Sequence, residues 1–179
     1  MQDFDVFASM LLEEAKRFVE RAVESSGGAG EAPNLHAGLM LAFCALEAHV
    51  NAVADEMAQR GDQPPHVLGV LMEREVRLKD GKYELDNRLR LSRLEDRIHL
   101  LHGYFAIKSD IQGGWRMALA GALDLRNKLT HPKGVPTITV GAVKSALQAV
   151  IDTIDAMYRA IYDRPFPGAI RELASKLDF

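Results

Sequence analysis

Apolar side chains recur every three to four residues over most of this chain, a pattern typical of helices that bury one face. The first such segment covers roughly residues 3–25 and ends in a glycine-rich stretch. A second helix is predicted to begin with Asn34 as its N-cap and to continue to about Arg60, just before Gly61. The pattern therefore predicts two long amphipathic helices in the first third of the chain.

Several later segments also have a helical pattern, and prolines, glycines or capping residues delimit them. They cover residues 66–73, 92–104, 115–131, 139–162 and 168–177. Ser92 and Glu95 have the spacing of a capping box, Thr139 is expected to cap a long helix, and Pro132 stops the helix before it. Residues 133–138 are expected to form a loop.

Residues 76–85 differ, because apolar and polar positions alternate there around Asp80-Gly81, the turn pair of a tight hairpin. We therefore predict an all-α fold, a bundle of four to five main helices with a small inserted β-hairpin. The chain is interpreted as a single domain, 1–179. Its parts are a core at about 34–162, an N-terminal helix in 1–26, the hairpin at 76–85 and a short C-terminal helix at 168–177. No glycine-rich loop follows a strand, which excludes nucleotide-binding α/β folds.

The composition, 47% hydrophobic and 26% charged, is ordinary for a globular protein. One cysteine, Cys44, excludes an internal disulfide and fits a reducing cytoplasm. Because Cys44 lies in the apolar run 39–46, we expect a buried, inert thiol. The acidic N-terminus does not resemble a signal peptide, and no apolar stretch is expected to span a bilayer. A cytoplasmic protein without a membrane partner is predicted.

The net charge of −3 does not favour non-specific binding to nucleic acid, but the charges are unevenly distributed. Residues 1–60 contain four basic and ten acidic side chains, whereas residues 116–144 contain five basic and one acidic. The segment 116–144 is therefore locally cationic within an acidic protein.

That cationic segment contains the strongest candidate for chemistry, in which Arg126 and Asn127 are followed by His131 and Pro132. An arginine can neutralise a phosphate, and a histidine can transfer a proton near neutral pH. Spacing alone is weak, because an arginine precedes a histidine by five or six residues at four places. These pairs are Arg60/His66, Arg93/His99, Arg97/His102 and Arg126/His131. Only the pair Arg126/His131 has a polar residue directly after the arginine, a position at a helix end and a proline directly after the histidine.

The geometry of a helix end supports this choice. Five residues do not complete a whole number of turns, so Arg126 and His131 would lie apart around a continuous helix. Pro132 disfavours the α conformation at His131, so the last turn should loosen and let the imidazole swing round. A positive charge on that imidazole is also favoured at a helix C-terminus.

A helical bundle with this motif resembles the HEPN superfamily, over roughly residues 34–162. The resemblance implies a metal-independent endoribonuclease, of the kind that acts as a toxin or in defence, that needs no cofactor and works as a homodimer with the two motifs facing each other. It implies catalytic roles for Arg126 and His131, an assisting role for Asn127, and supporting roles for Glu47 and Asn51 on an upstream helix. A restraining antitoxin protein is a further implied partner.

Other interpretations stay open. The chain can be a non-catalytic helical dimer that binds a partner protein, or a bundle that binds a small ligand between helices. Glu47 and Asn51 either brace Arg126 or form a polar stripe on a half-buried helix.

Two further groups of charged or metal-binding side chains favour a structural interpretation. Asp96, His99 and His102 have a possible metal-ligand spacing, but a structural or surface role is favoured because no fourth ligand is near. The basic ridge of Arg88, Arg90, Arg93 and Arg97 is interleaved with acidic residues, and is interpreted as a solvated face. Trp115 is expected to anchor the core.

Overall fold

The computed structural model describes residues 2–107 and 113–179, and it is mostly helical (65%) with a small two-stranded antiparallel hairpin. The α-helices in these residues are α1 (Gln2–Glu24), α2 (Glu31–Ala58), α3 (Pro65–Leu71), α4 (Leu94–Tyr104), α5 (Trp115–Thr130) and α6 (Val140–Tyr162). The strands are β1 (Arg74–Lys79) and β2 (Lys82–Leu89), and a short 3₁₀ turn covers Pro167–Arg171. The predicted all-α class with an inserted hairpin is confirmed.

The centre of the bundle is α2, which has buried residues on nearly every side and contacts α1, α3, α4, α5 and α6. Its closest approach is to α1, because Gly38 has no side chain there. A Cβ atom at Gly38 would lie 2.9 Å from Cγ2 of Val19 and 3.2 Å from the carbonyl oxygen of Ala15. Small residues at this crossing therefore let the two backbones pack tightly.

The apolar character of α2 also corrects an expectation. No stretch was expected to span a bilayer, but α2 is long and apolar enough to do so by length and composition. In its most apolar window, 67% of the residues are buried inside the bundle. A central helix of a bundle has the same composition, since it is apolar on nearly every side.

The first helix belongs to the core, which therefore extends beyond the predicted 34–162. Leu12, Ala15 and Val19 of α1 are buried in the same cluster as the apolar residues of α2 and α6. Lys16 is fully buried, where its ammonium group is 3.2 Å from Oε1 of Glu13 and donates to the carbonyl oxygen of Gly168. These contacts tie the C-terminal segment to α1.

The predicted helix at 168–177 is wrong, since only the 3₁₀ turn Pro167–Arg171 forms there. The reason lies in α1, whose carboxylates accept the backbone N–H groups that a helix would use. Ser175 donates its N–H to Glu20, and Lys176 donates its N–H to Glu13. The backbone is satisfied by tertiary contacts, so the segment packs along α1 without continuing as a helix.

The hairpin turns at Asp80-Gly81 as predicted, with φ of 50° and 80°, but it covers 74–89 and not only 76–85. Its base is seated on α3, because a Cβ atom at Gly69 would lie only 2.6 Å from Cγ2 of Val76. The expected capping box does not form. Arg93 occupies the N-cap of α4 without a side-chain bond, and the N–H of Ser92 donates to Oε1 of Glu73.

Four other local predictions have mixed outcomes. Thr139 caps α6 as expected, since its hydroxyl oxygen accepts the N–H of Ala142. Trp115 is buried in the core, also as expected. Asn34 is not the N-cap of α2, because the helix already begins at Glu31. Cys44 is exposed and not buried, because it points away from the bundle between the buried Phe43 and Ala45.

Candidate functional site

The end of α5 has the conformation that the sequence predicted. Thr130 is the last helical residue, and His131 leaves the helix with φ −130° and ψ 60°, outside the α region. The N–H of His131 still donates to the carbonyl oxygen of Asn127, which fixes the first step out of the helix. The imidazole itself is exposed to solvent.

Residues 133–138 fold back beside α5 and leave an open groove of about 570 Å³. Its polar lining comes from Asn127, Lys128, His131 and Lys133, and one carboxylate, Asp124, lies among them. Its apolar lining comes from Leu125, Val135, Pro136 and Ile138. Neither lysine forms an ion pair with any residue that the structure describes. The groove therefore combines unpaired positive charge, an imidazole and an apolar wall.

Arg126 faces a different neighbour. Its guanidinium carbon lies 5.2 Å from the centre of the Phe43 ring on α2, a cation–π contact, and Arg126 does not line the groove. Its Nε is buried without a hydrogen-bond partner, and within residues 2–107 and 113–179 no carboxylate pairs with it. In a single copy, Arg126 therefore contacts α2, whereas His131 lines the groove.

Of the two alternatives for Asn51, a brace on Arg126 and a polar stripe on α2, neither describes its hydrogen bond. Oδ1 of Asn51 accepts a hydrogen bond of 2.6 Å from Nη1 of Arg97 on α4, so Asn51 serves a different arginine. Glu47 is exposed on α2, one turn after Phe43, and forms no hydrogen bond or ion pair with the described part of the chain. Neither supporting candidate forms a hydrogen bond or an ion pair with Arg126 in the part of the chain that the structure describes.

The similar pair Arg97/His102 forms part of the protein interior. Arg97 is buried and also donates from Nη2 to the carbonyl oxygen of Leu71, with Glu73 3.5 Å from Nη1. It is therefore not a member of the exposed basic ridge that contains Arg88, Arg90 and Arg93. His102 is buried with its ring centre 5.3 Å from that of Trp115. Arg97 connects α2, α3, the base of the hairpin and α4.

The histidines outside the motif do not form a metal site. His99 is exposed while His102 is buried, so the two rings occupy different environments. Across the described ranges, no group of three or more His, Cys, Asp or Glu residues could hold a metal ion.

Sequence reasoning missed two features of the site. The loop 133–138 supplies half of the groove, and its alternation of lysine, glycine and apolar residues was the available signal. His49 is buried in α2 with neither ring nitrogen hydrogen-bonded, and burial lowers its pKa to about 4. Its ring packs edge-on against Phe166, with ring centres 4.9 Å apart, so nothing in the sequence marked it as unusual.

No protein-family model, curated protein or solved structure matches this chain. The functional argument therefore depends on the site itself. An exposed imidazole beside two lysines in an open groove can bind an anion and transfer a proton.

Proposed function

We propose that this protein is a cytoplasmic, metal-independent endoribonuclease of the HEPN type that acts as a homodimer. One observation carries the proposal: His131, Asn127, Lys128 and Lys133 share one open groove at a helix end, while Arg126 beside it has no carboxylate partner in the described chain. Cations that are not neutralised by the protein are available for a phosphate backbone.

The chemistry uses the 2′-hydroxyl of the RNA as the nucleophile. An imidazole takes the proton of that hydroxyl, the 2′-oxygen bonds to phosphorus, and the bond from phosphorus to the 5′-oxygen breaks. A second, protonated imidazole gives its proton to the leaving 5′-oxygen, which yields a 2′,3′-cyclic phosphate and a 5′-hydroxyl end. The groove lysines offset the charge that builds on the phosphoryl oxygens, and Arg126, which does not line the groove of its own copy, is assigned the same role across the dimer.

The number of catalytic groups in one groove supports the proposed homodimer. His131 is the single histidine there, and one imidazole cannot readily act as both base and acid. A second, apolar groove of about 330 Å³ between α5 and α6 adjoins the first, since both are lined by Leu125 and Lys128. Covering Met117 and Gly121 in that groove with a second copy would bring two motifs together.

The decisive experiment incubates the wild type and His131→Ala with total RNA in EDTA. We expect the variant to lose cleavage by at least about 100-fold, because it lacks the proton-transfer group. His66→Ala and His99→Ala are matched controls, since both rings are exposed and belong to the similar Arg/His pairs. Both controls should cleave like the wild type.

A defined oligonucleotide sharpens this test. A single 2′-deoxy substitution at the cleaved position should abolish the cut there, because the nucleophile is then absent. Equal cleavage by wild type and His131→Ala, no cleavage by either, or cutting of the 2′-deoxy position would each contradict the proposal.

The second candidate is a non-catalytic helical dimer that binds a partner protein; a restraining antitoxin belongs only to the ribonuclease proposal. The apolar groove that includes the 85% exposed Met117 favours this function, because exposed apolar surface marks interaction sites. A dimer that persists in both wild type and His131→Ala, with no RNA cleavage by either, would support this candidate.

A further inference from the structure

The hairpin presents an apolar face beyond the part that is seated on α3. Cross-strand neighbours pair Val76 with Leu85 and Leu78 with Tyr83 on one face. The first pair is half-buried at the base, but Leu78 and Tyr83 near the turn are 65% and 66% exposed. We call these two residues the hairpin tip. Large apolar side chains on a projecting element are typical of an interaction surface.

The base of the hairpin is held rigidly, so its tip is presented in a fixed position. Glu73 accepts the N–H of Ser92 through its side chain and the N–H of Arg90 through its carbonyl oxygen, and Arg97 lies beside its carboxylate. Arg77 pairs with Asp86 across the strands at 2.8 Å. A two-stranded hairpin alone is marginally stable, so these contacts are what maintain it.

The arm that carries the tip is basic. Residues 74–93 contain seven basic and four acidic side chains, in a chain with a net charge of −3. Lys79 and Lys82 are directly opposite each other next to the turn, and the described residues supply neither with an ion-pair partner. Like charges facing each other destabilise a strand pair, and an acidic partner would relieve this repulsion.

The same chain has an exposed surface of the complementary kind. The first two turns of α1 expose Phe4, Val6, Phe7 and Met10, of which Val6 is 59% and Phe7 50% exposed. The exposed Asp5 lies in the first of these turns, and residues 2–10 contain two acidic and no basic side chains. We call these five residues the α1 stripe. The α1 stripe is apolar and belongs to an acidic segment, whereas the hairpin tip is apolar and is flanked by Lys79 and Lys82.

Both surfaces lie at one end of the bundle, away from the motif. The short connection 25–30 makes α1 antiparallel to α2, so its first turns lie near the C-terminal end of α2, from which α3 and the hairpin follow. Along α2, the end from which α3 and the hairpin follow is about 22 Å from Phe43, which Arg126 contacts. Along α1, Phe7 is about 24 Å from Val23, which lines a groove with Lys144 near the start of α6. An interface at this end is therefore separate from the groove at His131.

We propose that the hairpin tip of one copy binds the α1 stripe of a second copy, which makes this end of the molecule a self-association surface. Each copy offers both parts, so a two-fold arrangement forms two equivalent contacts. This inference does not depend on ribonuclease activity. Burying two apolar patches of opposite charge gives affinity from the apolar area and selectivity from the charges.

Light scattering over a concentration series, on the full chain, tests the interface. Tyr83→Asp and Phe7→Asp should each raise the dissociation constant of the assembly at least about tenfold. Ile170→Asp is the matched control, because Ile170 is exposed and apolar but outside both surfaces. Thermal melts of the three variants check that all remain folded. Charge reversal adds a rescue: Lys82→Glu or Asp5→Lys alone should weaken association, and both together should restore it.

Cysteine pairing identifies the contacting surfaces even if Tyr83→Asp or Phe7→Asp fails to fold. In a Cys44→Ser background, a tagged Leu78→Cys protein is mixed with an untagged Phe7→Cys protein and mildly oxidised. We expect the mixed disulfide to exceed either homodimeric disulfide several-fold. A wild type that stays monomeric at every concentration, unchanged association of Tyr83→Asp, or random pairing of the cysteines would overturn the proposal. Loss of RNA cleavage in His131→Ala alone bears only on the ribonuclease.

Discussion

Two arginine–histidine pairs with the same spacing occupy opposite environments in this protein. Arg97 is buried, bonds Asn51 and a backbone carbonyl, and lies beside Glu73, while His102 packs on Trp115. Arg126 stacks on one ring without a carboxylate partner among the described residues, and His131 is exposed in an open groove. Nε is buried without a hydrogen-bond partner in both arginines, so the difference lies in their Nη atoms and in the two histidines. Groups that bond within the fold support it, whereas exposed, unpaired groups remain available for a ligand.

The difference shows that the surroundings of a short motif, and not its spacing, determine its role. Both pairs begin on a helix, and both have an arginine five residues before a histidine. Pro132 ends α5 at the second histidine, whereas α4 continues past His102 to Tyr104. The helix stop, and not the spacing, is what turns one imidazole out to solvent.

The largest effect is expected at Arg97. Arg97→Ala should destabilise the fold by about 3 kcal/mol, because it leaves Asn51 and Glu73 without their buried partner. Urea denaturation measures the change in the free energy of unfolding. Arg93→Ala, an exposed arginine on the same segment, should change it by less than about 0.5 kcal/mol. Similar changes in the free energy of unfolding for Arg97→Ala and Arg93→Ala would show that the buried contacts of Arg97 do not stabilise the fold.

His49 provides a reference for a histidine that is buried without a partner. Its folded-state pKa of about 4 lies below the unfolded value of about 6.5, so the unfolded chain takes up the proton first as the pH falls. Stability from this group is complete above pH 6.5 and should decrease by about 3 kcal/mol as the pH falls towards 4. His49→Phe should lose that part of the pH dependence in urea titrations. An unchanged pH profile would show that His49 is not the titrating group.

The two histidines of the paired motifs should differ in stability. His102→Ala removes a buried ring from its contact with Trp115 and should destabilise the fold by about 2 kcal/mol. His131→Ala removes an exposed ring and should change stability by less than about 0.5 kcal/mol. Thermal melts of both variants make the comparison, and a large loss in His131→Ala would argue for a structural role.

A smaller loss of stability than that of His102→Ala is expected at Arg126. Arg126→Ala removes a cation–π contact with Phe43 and should destabilise the fold by about 0.5–1 kcal/mol. Its effect on RNA cleavage should be much larger than this, because its charge acts on the phosphate. Arg126→Lys keeps the charge but not the planar stacking, and should retain part of the activity. Equal losses of stability and activity would assign Arg126 to the fold alone.

Sequence patterns predicted the long elements and missed the contacts between them. The periodicity of α1, α2 and α6 and the Asp80-Gly81 turn were sufficient, because they depend on local residues. The C-terminal helix failed because carboxylates of α1, distant in sequence, bind its backbone. Cys44 was misplaced because an apolar run does not reveal which side of a helix faces out.

The candidate site was partly accessible from sequence. The helix stop at Pro132 and the exposure of His131 follow from local backbone rules. The groove could not be predicted from local rules, since residues 133–138 line it only because they fold back beside α5. The hydrogen-bond partner of Asn51 could not be predicted from the sequence either, because Arg97 lies 46 residues away in the chain.

The outward position of Cys44 has a practical consequence for measuring distances between copies. It is the one cysteine of the chain and is exposed on α2. It directly follows Phe43, whose ring contacts the guanidinium group of Arg126. A nitroxide attached there would serve as a single-site spin label in the otherwise unaltered protein. Partial burial and the nearby Glu47 raise the pKa of the thiol, so coupling should be slow at neutral pH and faster in mild alkali. The interspin distance would be short if copies meet at the motif, and long if they meet through the hairpin.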